Sequence, residues 1–271
     1  MPQFTGNFPR KVVTCPLRPM VWAGLAVVFM LFSAPGVSGL PETLALVKPG
    51  VVAVGTMQKT RRPPSKFMGT GFVVGDGRYV ITNAHVIPEL LDGEELEQLA
   101  IFAGRGRQPE IRTAEAVAMD PEHDLAILRI EGDPLPALRL GDSSRVREGQ
   151  SIAFTGFPIG TVLGLFPVTH RGIISTITPI VLPSQSSRQL STAQIKRLKA
   201  PYDVFQLDAT AYPGNSGSPV YDQKTGHVLG VLNMVFVKET KEAVLEKPSG
   251  ISYAIPVEHA RQLLESVLVK E

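Results

Sequence analysis

Cysteine is nearly missing from this chain of 271 residues: Cys15 is the only one, and Trp22 is the only tryptophan. A single cysteine cannot close an internal disulfide, which excludes a disulfide scaffold. Zinc sites that need two or more thiolates are excluded with it. No His-Glu-x-x-His occurs and no other pair of histidines stands at ligand spacing, so neither a metal nor another cofactor is expected. Charged residues make up only 19%. No basic cluster exceeds Arg61-Arg62 or Lys196-Arg-Leu-Lys199, so nucleic acid is not an expected partner. A repeat of fixed period is also absent. What remains is 44% hydrophobic, with 12 Phe and 5 Tyr. That is enough for a large buried core and too apolar for a disordered chain.

Long apolar runs are confined to the start of the chain. Arg10, Lys11 and Arg18 carry the only charges of residues 1–39, and an apolar run from Met20 to Phe32 follows them. Ser33-Ala-Pro-Gly-Val-Ser-Gly39 comes next, with Val37 and Gly39 at the −3 and −1 positions of a cleavage site after Gly39. A basic stretch, a short apolar stretch and a small-residue exit make the pattern of a secretory signal peptide. The alternative is a retained membrane anchor over residues 20–40, which Ser, Pro and three Gly weaken. The chain is therefore expected to be exported, periplasmic or secreted, with membrane contact only through an uncleaved leader. Cys15 precedes the apolar run, so it is misplaced for lipid attachment after cleavage. Removing the leader takes three of the 27 basic residues and none of the 25 acids, which turns a net charge of +2 into −1. The basic excess thus belongs to the leader.

From Leu44 onward, short β-branched runs alternate with Gly, Pro, Asp and Asn. Examples are Val51-Val-Ala-Val54, Thr70-Gly-Phe-Val-Val74, Tyr79-Val-Ile-Thr82, Leu125-Ala-Ile-Leu-Arg-Ile130, Ile152-Ala-Phe-Thr155, Gly172-Ile-Ile-Ser-Thr-Ile177, Phe205-Gln-Leu207 and His227-Val-Leu-Gly-Val-Leu232. Many short strands with turn signals between them predict an all-β barrel or sandwich. Asp76-Gly77 between two such runs predicts a hairpin. Ser191-Thr-Ala-Gln194 reads as the start of a short helix. At the C-terminus, Val257, Ala260, Leu263, Leu264, Val267 and Leu268 have helical spacing, with Pro256 suited to a first turn.

Three segments carry chemistry: Ile81-Thr-Asn-Ala-His-Val86, Asp120-Pro-Glu-His-Asp-Leu-Ala-Ile-Leu128, and Asp208-Ala-Thr-Ala-Tyr-Pro-Gly-Asn-Ser-Gly-Ser-Pro219. A serine hydroxyl needs a neighbouring base before it is nucleophilic. The oxyanion formed on attack needs fixed hydrogen-bond donors. Gly214-Asn-Ser216-Gly can turn tightly enough to aim the N–H groups of Gly214 and Ser216 at one oxygen, although alone it reads as an ordinary turn. His85, after a strand ending at Thr82, is the candidate base. Asp124 directly abuts the apolar Leu125-Ala-Ile-Leu128 and is the candidate orienting carboxylate, preferred to Asp120. His123, His170, His227 and His259 have no motif around them and are read as packed or surface residues.

In the order His, Asp, Ser, these segments resemble the motifs of trypsin-like serine proteases, and most closely the bacterial HtrA/Deg (Do-like) branch. Gly69-Thr-Gly-Phe, Gly156-Phe-Pro-Ile-Gly160, Arg171-Gly-Ile-Ile-Ser and Ser252-Tyr-Ala-Ile-Pro256 fit that branch too. The resemblance spans about residues 45–268 and implies a chymotrypsin-like fold of two six-stranded antiparallel β-barrels. These would occupy about 44–140 and 141–256, closed by a helix over 257–269, within a protease domain of 40–271 that follows the leader of 1–39.

It also implies roles: Ser216 as nucleophile, His85 as base, Asp124 as orienter, Gly214 and Ser216 as oxyanion hole, and Thr210, Gly230 and Asn233 around the specificity pocket. Without an acid at Thr210, a small or aliphatic preference is expected. The expected activity is hydrolysis of peptide bonds in protein or peptide substrates, and a homo-oligomer is compatible with the family. A catalytically silent fold used for binding is the alternative. Three departures stand out. No PDZ domain is expected, since about fifteen residues follow Pro256; residues 178–203 and 234–250 are longer than the family's loops; and Ser218 replaces a usual Gly.

Overall fold

Twelve strands make up most of the regular secondary structure in a computed structural model that describes Gln3 and residues 39–93, 96–106, 109–158, 164–180, 201–233 and 251–269. The apolar leader, the helix expected from Ser191 and the loop 234–250 lie outside the described residues. The chain divides into Met1–Gly36 and Val37–Glu271, and the fold belongs to the second unit. Strands β1 (Val51–Met57), β2 (Ser65–Val74), β3 (Tyr79–Thr82), β4 (Gln98–Ala103), β5 (Glu110–Asp120) and β6 (Leu125–Ile130) close into one antiparallel barrel in the order β1-β2-β3-β6-β5-β4. Strands β7 (Ser151–Gly156), β8 (Val168–Pro179), β9 (Asp203–Asp208), β10 (Pro219–Asp222), β11 (Val228–Asn233) and β12 (Ile251–Pro256) close the second as β10-β11-β12-β9-β8-β7. Counted from its own first strand, the second barrel repeats the connectivity of the first. The expected pair of six-stranded barrels is thus present.

Most of the runs that announced the strands are continuous rather than alternating because those strands are buried on both faces; β8, where only Ile174 is buried, is the exception. In β1, Val52 and Val54 join an apolar cluster drawn wholly from the first barrel. Val51 and Ala53 turn the other way, into a cluster shared with Val231 and Ile255 of the second barrel and with the C-terminal helix. A third cluster, including Ile152, Phe154, Leu207 and Val220, belongs to the second barrel alone. The shared layer holds the barrels together, and the site lies along it.

Local signals met their structures with some differences. Val74 pairs with Tyr79 and Val73 with Val80, so the Asp76-Gly77 hairpin forms. Its loop has four residues rather than two, and the Asp76 carboxylate accepts the N–H of Arg78 at 3.0 Å. The C-terminal helix α2 (Val257–Leu268) buries Val257, Ala260, Leu264 and Val267, while Leu268 is 47% exposed. Pro256 is the last residue of β12 and the helix N-cap, not part of the first turn as expected. Helix α1 (Leu40–Val47) was not signalled. It is only eight residues long, and it docks by burying Thr43 and Val47. The Thr43 hydroxyl donates to the carbonyl of Gln223 at 2.9 Å.

Leu128 is fully buried in the first barrel's own cluster. Leu128→Ala should lower the unfolding free energy by about 2–5 kcal/mol, read from denaturant unfolding of both proteins.

Candidate active site

The segment after β3 is tied to Asp124 before any chemistry is considered. Asn83, fully buried, donates through Nδ2 to the carbonyl of Asp124 at 3.0 Å, and the N–H of Ala84 donates to the same oxygen at 3.1 Å. A single 3-10 turn, Ala84–Val86, then presents His85. Its backbone N–H donates to Asp124 Oδ1 at 2.9 Å, and its ring Nδ1 lies 2.6 Å from Asp124 Oδ2. An ionised carboxylate only accepts, so Nδ1 carries the proton and Nε2 is left with its lone pair. The side chain of His85 is 33% exposed, which leaves the ring reachable.

Asp124 itself occupies the left-handed region, at φ 54°. Among non-glycine residues, Asp and Asn tolerate that conformation best. At 7% exposure its charge has little water, and protein donors replace it. Besides the two bonds from His85, Oδ2 accepts from Asn233 Nδ2 at 2.7 Å. Asn233 comes from β11 of the second barrel and is fully buried.

Ser216 stands in the loop between β9 and β10. Gly214 and Gly217 on either side have φ 97° and 86°, values that L side chains rarely adopt. At Gly217 a Cβ would also collide with the carbonyl of Thr70. Within the loop, Asn215 N–H donates to Tyr212 O at 2.9 Å and Ser218 N–H to Asn215 O at 3.0 Å. Ser218, the departure noted in the sequence, is fully buried, and its hydroxyl fills space that a Cβ at Gly156 would occupy. Ser216 is 6% exposed. Among the described residues, neither its hydroxyl nor the N–H groups of Gly214 and Ser216 are engaged in a hydrogen bond.

One residue ties this loop to the first barrel. From β2, Thr70 donates its N–H to Ser216 O at 2.8 Å and its hydroxyl to Gly214 O at 2.7 Å. The same hydroxyl accepts the N–H of Phe157 at 3.0 Å, and Thr70 O accepts from the Thr82 hydroxyl at 2.7 Å. Thr70 stands within Gly69-Thr-Gly-Phe, and nothing next to it in the sequence gives it a role. Only its place opposite the serine loop reveals one.

His85 and Asp124 are thus brought together, with Ser216 held across the barrel interface by Thr70. Of the pocket candidates, Thr210 is half-buried beside the serine loop, and Gly230 lies on β11 opposite Val220 and Pro256. Asn233 directs its amide to Asp124. His170 stacks on Phe154 at 4.9 Å and faces Tyr212 at 5.8 Å, and burial lowers its pKa.

Residues 69–231 match the family described as the trypsin-like peptidase domain. A probable periplasmic serine endoprotease DegP-like of Halomonas elongata is 30% identical over 204 residues, which is 74% of this chain and 35% of that protein. Its counterpart in Pseudomonas fluorescens is 29% identical over 228 residues, covering 83% and 40%. The putative serine protease HhoB of Synechocystis sp. is 27% identical over 208 residues, covering 77% and 42%. The chain therefore spans well under half the length of these relatives. Two solved structures of the HtrA-type protease AlgW with a tripeptide give TM-scores of 0.60 and 0.57 at 26% and 25% identity, each over 84% of this chain and 63% of that one.

Thr70→Val preserves shape but deprives Gly214 O and Phe157 N–H of their partner. We expect a loss of about 1–3 kcal/mol for each group left unpaired, measured by denaturant unfolding.

Proposed function

The chain belongs to the trypsin-like peptidase family, and on that premise we propose that it is an exported serine endopeptidase, similar to the HtrA/Deg branch, that cuts protein substrates through Ser216, His85 and Asp124. The observation that carries this reading is the pair of hydrogen bonds from His85 to a buried carboxylate, with Ser216 across the interface and the amides of Gly214 and Ser216 unengaged. His85 Nε2 is the basic atom, because Nδ1 is committed to Asp124. It takes the Ser216 proton as Oγ attacks the scissile carbonyl carbon, whose oxygen becomes the oxyanion. The Gly214 and Ser216 amides meet that oxygen. His85 then passes the proton to the leaving amine, and water repeats the sequence on the acyl-enzyme.

Ser216 Oγ makes no bond to His85 before substrate arrives. Such contacts are commonly long in free enzymes and tighten in the complex. The imidazolium formed during attack faces Asp124 at 2.6 Å, so charge develops next to its counter-charge. Asn233 holds that carboxylate from the opposite barrel. Export is read from the leader together with relatives named as periplasmic.

A fluorophosphonate probe should label the protein once, at Ser216, and Ser216→Ala should abolish labelling and lower the turnover of an unfolded protein by about 10⁴–10⁶. Asp124→Asn should cost about 10⁴ in kcat with the fold retained, because it favours the wrong tautomer of His85. Absence of labelling in the folded wild type would instead assign the chain to a silent, binding member of the fold.

Thr210 offers no negative charge to a basic side chain, so small or aliphatic residues should precede the cleaved bond. Profiling of cleavage sites on a denatured proteome reads this directly; enrichment of Lys or Arg would refute it.

A further inference from the structure

Two histidines without a part in this chemistry meet face to face. His123 lies in the turn between β5 and β6, one residue before Asp124, and His259 lies in the first turn of α2. Their ring centroids are 3.9 Å apart with planes inclined by 20°. Tyr202, just ahead of β9, packs against both rings, at 4.5 Å from His123 and 5.2 Å from His259. Asp120 anchors the turn: Oδ2 lies 2.6 Å from His123 Nδ1, and Oδ1 accepts the N–H groups of Glu122 and His123 at 3.0 and 3.1 Å. The stack therefore joins the C-terminal helix to the backbone that delivers Asp124. Since α2 packs against β5 and β6 of one barrel and β11 and β12 of the other, it is also placed to brace the shared layer.

Stacked imidazoles attract while one of them is neutral. Two imidazolium rings at 3.9 Å repel, and partial burial strengthens the repulsion. The charged groups facing His259 are His123, Asp120 and Glu122 from the β5–β6 turn and Glu258 from its own helix; the Tyr202 phenol completes the surroundings. The carboxylates favour protonation of His259. Burial, and after it His123, oppose protonation more strongly and hold its pKa at about 4. For Asp120, burial works upward, but the bonds from His123 and Glu122 outweigh it and keep the carboxyl below its usual range.

We propose that the His123–His259 stack is an acid-released latch on the active site: protonation of His259 parts the rings, frees the first turn of α2, and slackens the turn that presents Asp124 to His85. This rests on Asp124 being the carboxylate of the catalytic triad. The turn is the right place for such control, because Asp124 is held at φ 54° and that conformation persists only while its surroundings enforce it. The sign follows from linkage. The unfolded chain binds a proton at His259 near pH 6.5, and the folded chain resists it to about 4. Stability is full above the higher value and is lost as pH falls through this window.

The test compares His259→Phe, which keeps a ring to stack on His123 but cannot charge, with wild type, both carrying Ser216→Ala so that unfolding is read without self-cleavage. At pH 7.5 the two melting curves should agree closely. At pH 4.5 wild type should have lost about 3–6 °C more than the variant. With Ser216 intact, kcat/KM between pH 7.5 and 5 should fall at least about threefold further in wild type than in His259→Phe. Parallel melting curves overturn the latch. Should His259→Phe fail to fold, an NMR titration of the His259 ring in wild type decides instead: titration near pH 4 supports the latch, and titration near 6.5 overturns it. A melting difference in a protein that never hydrolyses substrate sinks the peptidase reading, and with it the control of an active site, and leaves only the acid sensitivity of the stack; hydrolysis without the melting difference sinks the latch alone.

Discussion

One carboxylate, shared between two barrels, sets the terms for the rest of this molecule. Asp124 is almost wholly removed from water, and a buried charge is tolerable only when donors surround it. Those donors are the backbone and ring of His85 from the first barrel and the amide of Asn233 from the second. Its carbonyl is occupied as well, by Asn83 and Ala84. Satisfying one residue therefore positions His85, the proposed base, fixes its tautomer and aligns one barrel with the other. Shifting the barrels would unpair a charge, so register and chemistry are coupled.

The serine loop is held by the same logic with neutral groups. Thr70 uses its amide, hydroxyl and carbonyl in four bonds that link β2, the serine loop, Phe157 and Thr82. Its bonds to Gly214 O and Ser216 O engage the carbonyls on that side of the loop, while the amides of the same two residues stay unengaged. The two glycines at positive φ make that arrangement affordable in a loop of L residues. Stiff β-strands thereby position groups that lie in loops, which suits a site that must not reorganise while charge moves.

Outside this machinery, the His123–His259 stack places two imidazoles in contact where helix, turn and second barrel meet. Sharing a turn with Asp124 gives it leverage on the site without contact to the reacting atoms. Under the proposed latch, the catalytic base and the acid response stand on separate histidines.

Much of the fold was legible because strands buried on both faces must be apolar throughout. Runs such as Val51-Val-Ala-Val54 and Leu125-Ala-Ile-Leu128 announce themselves on that account. Strand β5 did not, since Glu110, Arg112 and Glu115 break any pattern on its largely exposed surface. Helix α1 is too short for its spacing to register. In the same way the proposed triad of His85, Asp124 and Ser216 could be picked out because each chemistry demands particular neighbours in sequence: a turn after a strand, an acid against an apolar run, glycines flanking a serine. By itself the sequence thus determined the strands, the order of the three motifs and the residue types available for chemistry. Tertiary structure alone decided that Thr70 grips the serine loop 144 positions away, that Asn233 reaches Asp124 across 109 positions, and that His123 faces His259. Hydrogen bonds and ring stacks act over a few ångströms of space, and separation along the chain carries no trace of them until the barrels close.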